Sequence, residues 1–111
     1  HCGLKIVRHL PQSAQTHFLS DGSGSILEIY CNPPDMVPDY QSMNPLLFHL
    51  AFASPDPVAD QTRLLGAGAT FHSEVKSADG THLVMMRDPW GLAIQLCRRS
   101  APLEKRKAVA C

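Results

Sequence analysis

Three residues of this chain combine a metal-capable or polar side chain with a strand-like setting: Glu28, His49 and Gln95. Each stands in an apolar run whose side chains alternate between two faces, so parity assigns sides. In residues 26–31, Leu27 and Ile29 share one face, while Ile26, Glu28 and Tyr30 share the other. In residues 46–53, Phe48, Leu50 and Phe52 oppose His49 and Ala51. In residues 92–97, Ile94 and Leu96 oppose Ala93, Gln95 and Cys97. Taken singly, a polar residue on such a face is ordinarily solvated, and a lone His is ordinarily a hydrogen-bonded neighbour. Presented to one concavity, a carboxylate, an imidazole and an amide carbonyl suit a borderline divalent ion such as Zn²⁺, Ni²⁺, Mn²⁺ or Fe²⁺.

An internal repeat links two of the three. Asp21-Gly22-Ser23-Gly24-Ser25-Ile26-Leu27-Glu28-Ile29 and Asp88-Pro89-Trp90-Gly91-Leu92-Ala93-Ile94-Gln95-Leu96 both read Asp-x-x-Gly-x-x-aliphatic-Glu/Gln-aliphatic without a gap. Glu28 and Gln95 are therefore equivalent positions. Strand-like runs precede each copy, at residues 15–19 and 82–87, and before those at residues 4–10 and 69–75. The second half adds a β-like run at residues 46–53. After it, Asp56-Pro57 supplies an N-cap followed by proline at the first helical position. Val58, Ala59, Thr62 and Leu65 then mark a short amphipathic helix stopped by Gly66.

The second half thus reads β-α-β-β-β, and the first half shows only the last three of those strands. The expected fold class is α+β, with paired βαβββ modules of which the first lacks its first strand and most of its helix. The counterpart of His49 would fall in that missing strand. Residues 1–111 form one domain in this reading: 1–32 an incomplete first module, 33–45 a linker holding four prolines, 46–99 the complete module, and 100–111 a polar tail. Hairpin signals sit where the scheme needs them, at Asp79-Gly80 and in the two Asp-x-x-Gly segments.

Composition narrows the function classes. In 111 residues, 44% are apolar and 18% charged, an ordinary globular mixture. Ten basic residues balance ten acidic ones at a sequence pI near 7.2, so nothing points to nucleic acid or an anionic membrane. The Lys105-Arg106-Lys107 run has no interleaved aromatic and reads as a solvated terminus. No run approaches the ~20 apolar residues that span a bilayer. Cys2, Cys31, Cys97 and Cys111 make no C-x-x-C pair, and no signal segment opens the chain; free thiols in a reducing, cytoplasmic setting are expected. Gly66-Ala67-Gly68-Ala69 follows a helix instead of opening one, and no nucleophile elbow or Walker loop exists, which excludes dinucleotide binding and serine hydrolysis.

Three segments carry a resemblance: Phe48-His49-Leu50-Ala51-Phe52, Leu65-Gly66-Ala67-Gly68-Ala69, and Met86-Arg87-Asp88-Pro89-Trp90-Gly91-Leu92-Ala93-Ile94-Gln95-Leu96. Across residues 3–98 the chain resembles the vicinal oxygen chelate superfamily of glyoxalases, bleomycin-resistance proteins and extradiol dioxygenases. The resemblance implies an open, U-shaped sheet cup around a divalent metal, which a substrate chelates through neighbouring oxygens. It places Glu28, His49 and Gln95 at the ligand positions of the fourth, fifth and eighth strands, with the first-strand ligand absent. Gln95 stands where the family usually has Glu. An amide oxygen ligates weakly and cannot act as a base, which leaves Glu28 as the catalytic carboxylate.

The implied function is a glyoxalase-like lyase or isomerase in preference to an extradiol dioxygenase. The alternative is a metal-free, bleomycin-resistance-like protein that sequesters a small molecule. A homodimer is implied in either case. Tyr30, Arg87, Trp90 and Cys97 are the candidate substrate contacts: Tyr30 beside Glu28, Arg87 for an anionic group, Trp90 at the cup entrance, and Cys97 two residues from Gln95. Cys97 reads more readily as a small buried apolar residue, and Arg87 by default as a surface ion pair. His72 and His82, on neighbouring strands, are expected to make a cross-strand contact.

Overall fold

The structure, a computed structural model, describes residues 1–103. The basic run at 105–107 and Cys111 lie outside the described residues. The chain is α+β, with two open sheets, and divides into two compact units, residues 1–39 and residues 40 onward.

The first unit is an antiparallel sheet of β1 (Lys5–Leu10), β2 (Thr16–Ser20) and β3 (Ile26–Ile29), in that spatial order. The second unit holds β4 (Leu50–Ala53), α1 (Pro57–Gly66), β5 (Thr70–Lys76), β6 (His82–Arg87) and β7 (Ala93–Arg98). Its sheet runs β4-β7-β6-β5, with β4 parallel to β7 and the other pairs antiparallel. A parallel pair needs a crossover, and α1 begins it between β4 and the β5-β6-β7 meander.

The helix forms where the capping chemistry puts it. Asp56 Oδ1 accepts from the Ala59 backbone N–H at 3.1 Å, and Pro57 occupies the first turn, whose N–H would have no partner in the helix. Leu64 of α1 packs with Ala69, Val84, Met86, Ile94 and Leu96, and Phe52 lies against them. These residues are the core, and truncating Leu64 to Ala would cost about 2–5 kcal/mol.

The repeat holds at atomic detail. Asp21 Oδ1 accepts from the backbone N–H groups of Ser23 and Ser25, at 2.8 and 3.1 Å. Asp88 Oδ1 accepts from Trp90 and Leu92, both at 2.9 Å. The same Asx geometry therefore closes the β2-β3 and β6-β7 hairpins, and Gly24 and Gly91 supply the positive φ in each, +110° and +93°.

Two segments depart from the alternation reading. The run at 46–53 becomes a strand only from Leu50, because Asn44 and Pro45 set a turn first. Asn44 accepts through its side chain from Leu46 N and through its carbonyl from Leu47 N, both at 2.9 Å. In β5 the register jumps between Phe71 and Ser73, leaving His72 as a bulge.

The boundary between units falls inside the segment read as a linker, because residues 40–43 are bound to the second unit. Arg87 Nη1 donates to Tyr40 O and Gly91 O at 2.9 Å, and Nη2 donates to Met43 O at 2.8 Å.

Candidate functional site

In the second unit, strand register lines up Ser73, Met85, Gln95 and Ala51 as one row across β5, β6, β7 and β4. This row lies on the sheet face away from α1, since the alternate row Glu74, Val84, Leu96 and Phe52 faces the helix side. The next row on the open face is Val75, Leu83, Cys97 and Ala53. Gln95 and Cys97 thus share a face, and the Cys97 thiol donates to Gln95 Oε1 at 3.1 Å. Burial pushes the Cys97 thiol above its ordinary pKa, so it stays protonated at neutral pH and acts as a donor, not a nucleophile.

His49 precedes β4 by one residue and is half-buried. Its Nδ1 lies 2.7 Å from the carbonyl oxygen of Pro45. A carbonyl can only accept, so Nδ1 carries a proton, and in the uncharged form of the ring the lone pair is at Nε2. Metal-ligating imidazoles are held this way, by a carbonyl or carboxylate on the far nitrogen. The Asn44-Pro45 turn that shortens β4 is what places that carbonyl.

In the first unit, Glu28 on β3 is in register with Phe18 on β2. The Tyr30 hydroxyl donates to the Glu28 carboxylate, and that hydrogen bond pushes the phenol above its ordinary pKa. Tyr30 is half exposed, one residue beyond the strand.

The remaining candidates are placed differently from one another. Arg87 binds three backbone carbonyls, and its guanidinium clamps the 40–43 segment and the β6-β7 turn. Trp90 is 83% exposed at the tip of that turn. His72 and His82 do not meet: His82 is buried and contacts Glu74 Oε2 through Nε2 at 2.9 Å, while the bulged His72 is exposed and its Nδ1 lies 3.0 Å from Ser73 Oγ. Among the described residues, no three His, Cys, Asp or Glu side chains are gathered as a metal cluster. Cys2, Cys31 and Cys97 are free thiols.

An open depression of about 550 Å³ in the second unit is lined by Ser42, Asn44, His72, Ser73, Met85 and Arg87, among others. Of these, only His72 and Arg87 stand out from the sequence. Ser73 and Met85 belong to the row of Gln95, but the bulge at His72 reverses the parity of β5, and no residue type announces it.

This arrangement of a small antiparallel sheet, and of a β-α-β-β-β unit with an open face opposite its helix, is the fold of glyoxalases and bleomycin-resistance proteins. The chain belongs to the glyoxalase-like domain family, whose model matches residues 6–97, and with it to the vicinal oxygen chelate superfamily. It is similar to the structure of a glyoxalase family protein from Enterococcus faecalis, at 25% identity and a TM-score of 0.62, covering 86% of this chain and 79% of that one. A lactoylglutathione lyase from Agrobacterium tumefaciens shares the fold at 18% identity and a TM-score of 0.59, covering 88% and 77%. So does a bleomycin resistance determinant encoded on the transposon Tn5, at 17% identity and a TM-score of 0.51, covering 87% and 79%. No curated protein matches the chain in sequence. Among the described residues, no helix is long and apolar enough to cross a membrane.

Proposed function

We propose that this chain is a glyoxalase-like, metal-dependent lyase or isomerase acting on a small molecule that offers neighbouring oxygens to a divalent ion. The observation that carries the reading is the His49 ring, whose Nδ1–H is tied to Pro45 O so that Nε2 is left as a directed lone pair. The donor types fit the group: His49 and Gln95 would hold the ion, with Glu28 as the carboxylate of the set. When bound, a Zn²⁺, Ni²⁺, Mn²⁺ or Fe²⁺ ion supplies Lewis acidity toward developing negative charge on substrate oxygen.

The protein's own groups do the rest. Of Glu28, His49 and Gln95, only Glu28 has a carboxylate that can accept a proton, and in this reading it is the general base, with ligation left to His49 and Gln95. The Tyr30 hydroxyl holds it in one orientation. Arg87 positions the segment that lines the open depression, and Trp90 meets substrate at the exposed turn. A homodimer belongs to the same proposal, and the free thiols support a reducing, cytoplasmic setting.

A second reading, metal-free binding of a small molecule, is favoured by one contact: Gln95 Oε1 already accepts from the Cys97 thiol. Elemental analysis of the protein and of His49→Ala, after exposure to several divalent ions, separates the two. About one ion per chain, lost on substitution, is the expected result. No ion in either protein overturns the enzyme reading and leaves the binding reading in its place.

A further inference from the structure

We propose that His72 is the specificity-determining residue of the open depression in the second unit, donating to the carboxylate of a small molecule whose apolar body lies against Met43 and Met85. The inference rests on the reading that this face takes a small molecule, which both alternatives above share. The carboxylate is a different group from the oxygens assigned to the ion, so it holds and selects the ligand and takes no part in the reaction.

The placement of His72 follows from a bulge that occurs twice. In β5 the register jumps between Phe71 and Ser73, which pair with Met86 and Met85. In β1 it jumps between Ile6 and Arg8, which pair with Leu19 and Phe18. Leu19 and Met86 stand at the same position of the repeat, just ahead of Asp21 and Asp88, so Val7 and His72 are the equivalent bulged residues. Val7 is 59% exposed, and an apolar side chain suffices there for the bulge to form. The extra residue therefore belongs to the architecture of the hairpin, while an imidazole at that position does not. A bulge re-aims a side chain, and here the side chain it re-aims can recognise a ligand.

His72 is exposed and lines the depression of about 550 Å³ beside Ser73 and Met85. Met85 is in register with Gln95, so the depression adjoins the row already assigned to the site. Its volume lies in the range of small-molecule pockets. Met43, Leu46 and Met85 give it an apolar wall, and the two thioethers adapt readily to the shape of a ligand. Among the described residues that line it, none is acidic, and Arg87 supplies a positive charge. The Arg87 Nη1 and Nη2 atoms hold the carbonyls of Tyr40, Gly91 and Met43. An anion is therefore favoured by the charge of Arg87, while the hydrogen bond that selects it is left to the exposed imidazole.

Ser73 Oγ lies 3.0 Å from His72 Nδ1. With the hydroxyl donating to Nδ1, the ring proton is at Nε2, which becomes the donor offered to the carboxylate. A hydrogen bond to a charged acceptor is shorter and stronger than one between neutral groups. The contact thus discriminates a carboxylate from an alcohol or an amine on the same apolar body.

The test titrates the whole chain with hexanoate, hexanol and hexylamine, with no divalent ion added, and follows the methionine methyl signals by NMR. Hexanoate is expected to shift Met43 and Met85 and to leave Met36, which lies in the first unit, in place. Hexylamine should bind about tenfold more weakly than hexanoate. His72→Val copies the residue of the equivalent bulge in β1. It should weaken hexanoate about tenfold and leave hexanol unchanged, with backbone amide spectra reporting an intact sheet. No response of Met43 and Met85 to excess hexanoate, equal binding of hexylamine, or an equal loss of hexanoate and hexanol in His72→Val would overturn the proposal. Ion binding at His49 is read by elemental analysis without these probes, so failure here and failure of the proposed function are distinguishable.

Discussion

Arg87 donates from Nη2 to the carbonyl oxygen of Met43 at 2.8 Å, bridging 44 positions of sequence. With its bonds to Tyr40 O and Gly91 O, it fixes one wall of the open depression. Hydrogen bonds from a charged donor contribute about 1.5–3 kcal/mol each in favourable settings, and the three share one guanidinium. Arg87→Ala is expected to destabilise the protein by about 3 kcal/mol in denaturant unfolding. Arg87→Lys should restore little of it, because a single ammonium cannot reproduce a planar fork.

Gly24 and Gly91 are equivalent in the repeat but not in their surroundings. A Cβ at Gly91 would lie 2.6 Å from Gln41 Cβ and 2.9 Å from Gln41 Cα, while one at Gly24 would meet nothing within 4 Å. Both have positive φ, which costs a side-chain-bearing residue about 1–3 kcal/mol. Gly91→Ala should therefore destabilise clearly more than Gly24→Ala in thermal unfolding, with the difference reporting the approach of residue 41. Equal losses would mean that the segment at residue 41 moves away freely.

Acid should weaken the protein through Glu74. Its hydrogen bond to the buried His82 lowers its pKa below the usual 4.5, with Lys76 adding a smaller effect in the same direction. A carboxylate whose folded pKa is depressed contributes stability above its unfolded pKa and loses it as pH falls through the folded value. The melting temperature should accordingly fall more steeply below about pH 4.5 in the wild type than in Glu74→Gln. Parallel profiles for the two proteins would remove Glu74 from the account.

Cys97 should be the slowest of the described cysteines to alkylate. Burial raises its pKa and its thiol hydrogen is given to Gln95, whereas Cys2 and Cys31 are exposed. Iodoacetamide labelling followed by peptide mass analysis is expected to modify Cys2 and Cys31 well before Cys97. Rapid labelling of Cys97 would instead mark it as a thiolate in the open face.

Much of the fold was legible because its signals are local. Asp56, Pro57 and Gly66 delimit α1 through bonds that span a few residues, and the paired Asp-x-x-Gly segments carry their own hairpin closure. The candidate site was legible only in part. Alternation extended β4 back to residue 46, but Asn44 and Pro45 turned the chain first and thereby supplied the carbonyl that orients His49. His72 and His82, on adjacent strands, are kept apart by register, which pairs His82 with Lys76 and leaves His72 level with Met85 and Met86.

By itself the sequence determined the order of elements, the helix limits, the equivalence of Glu28 with Gln95, and the family, since each rests on residue type at fixed short spacing. Tertiary structure alone decided that Arg87 is a clamp on carbonyls, that His82 belongs to Glu74, that the Cys97 thiol satisfies Gln95, and that His9 stacks on His17. Those outcomes depend on strand register and on contacts between distant positions, where a shift of one residue exchanges every side chain between faces.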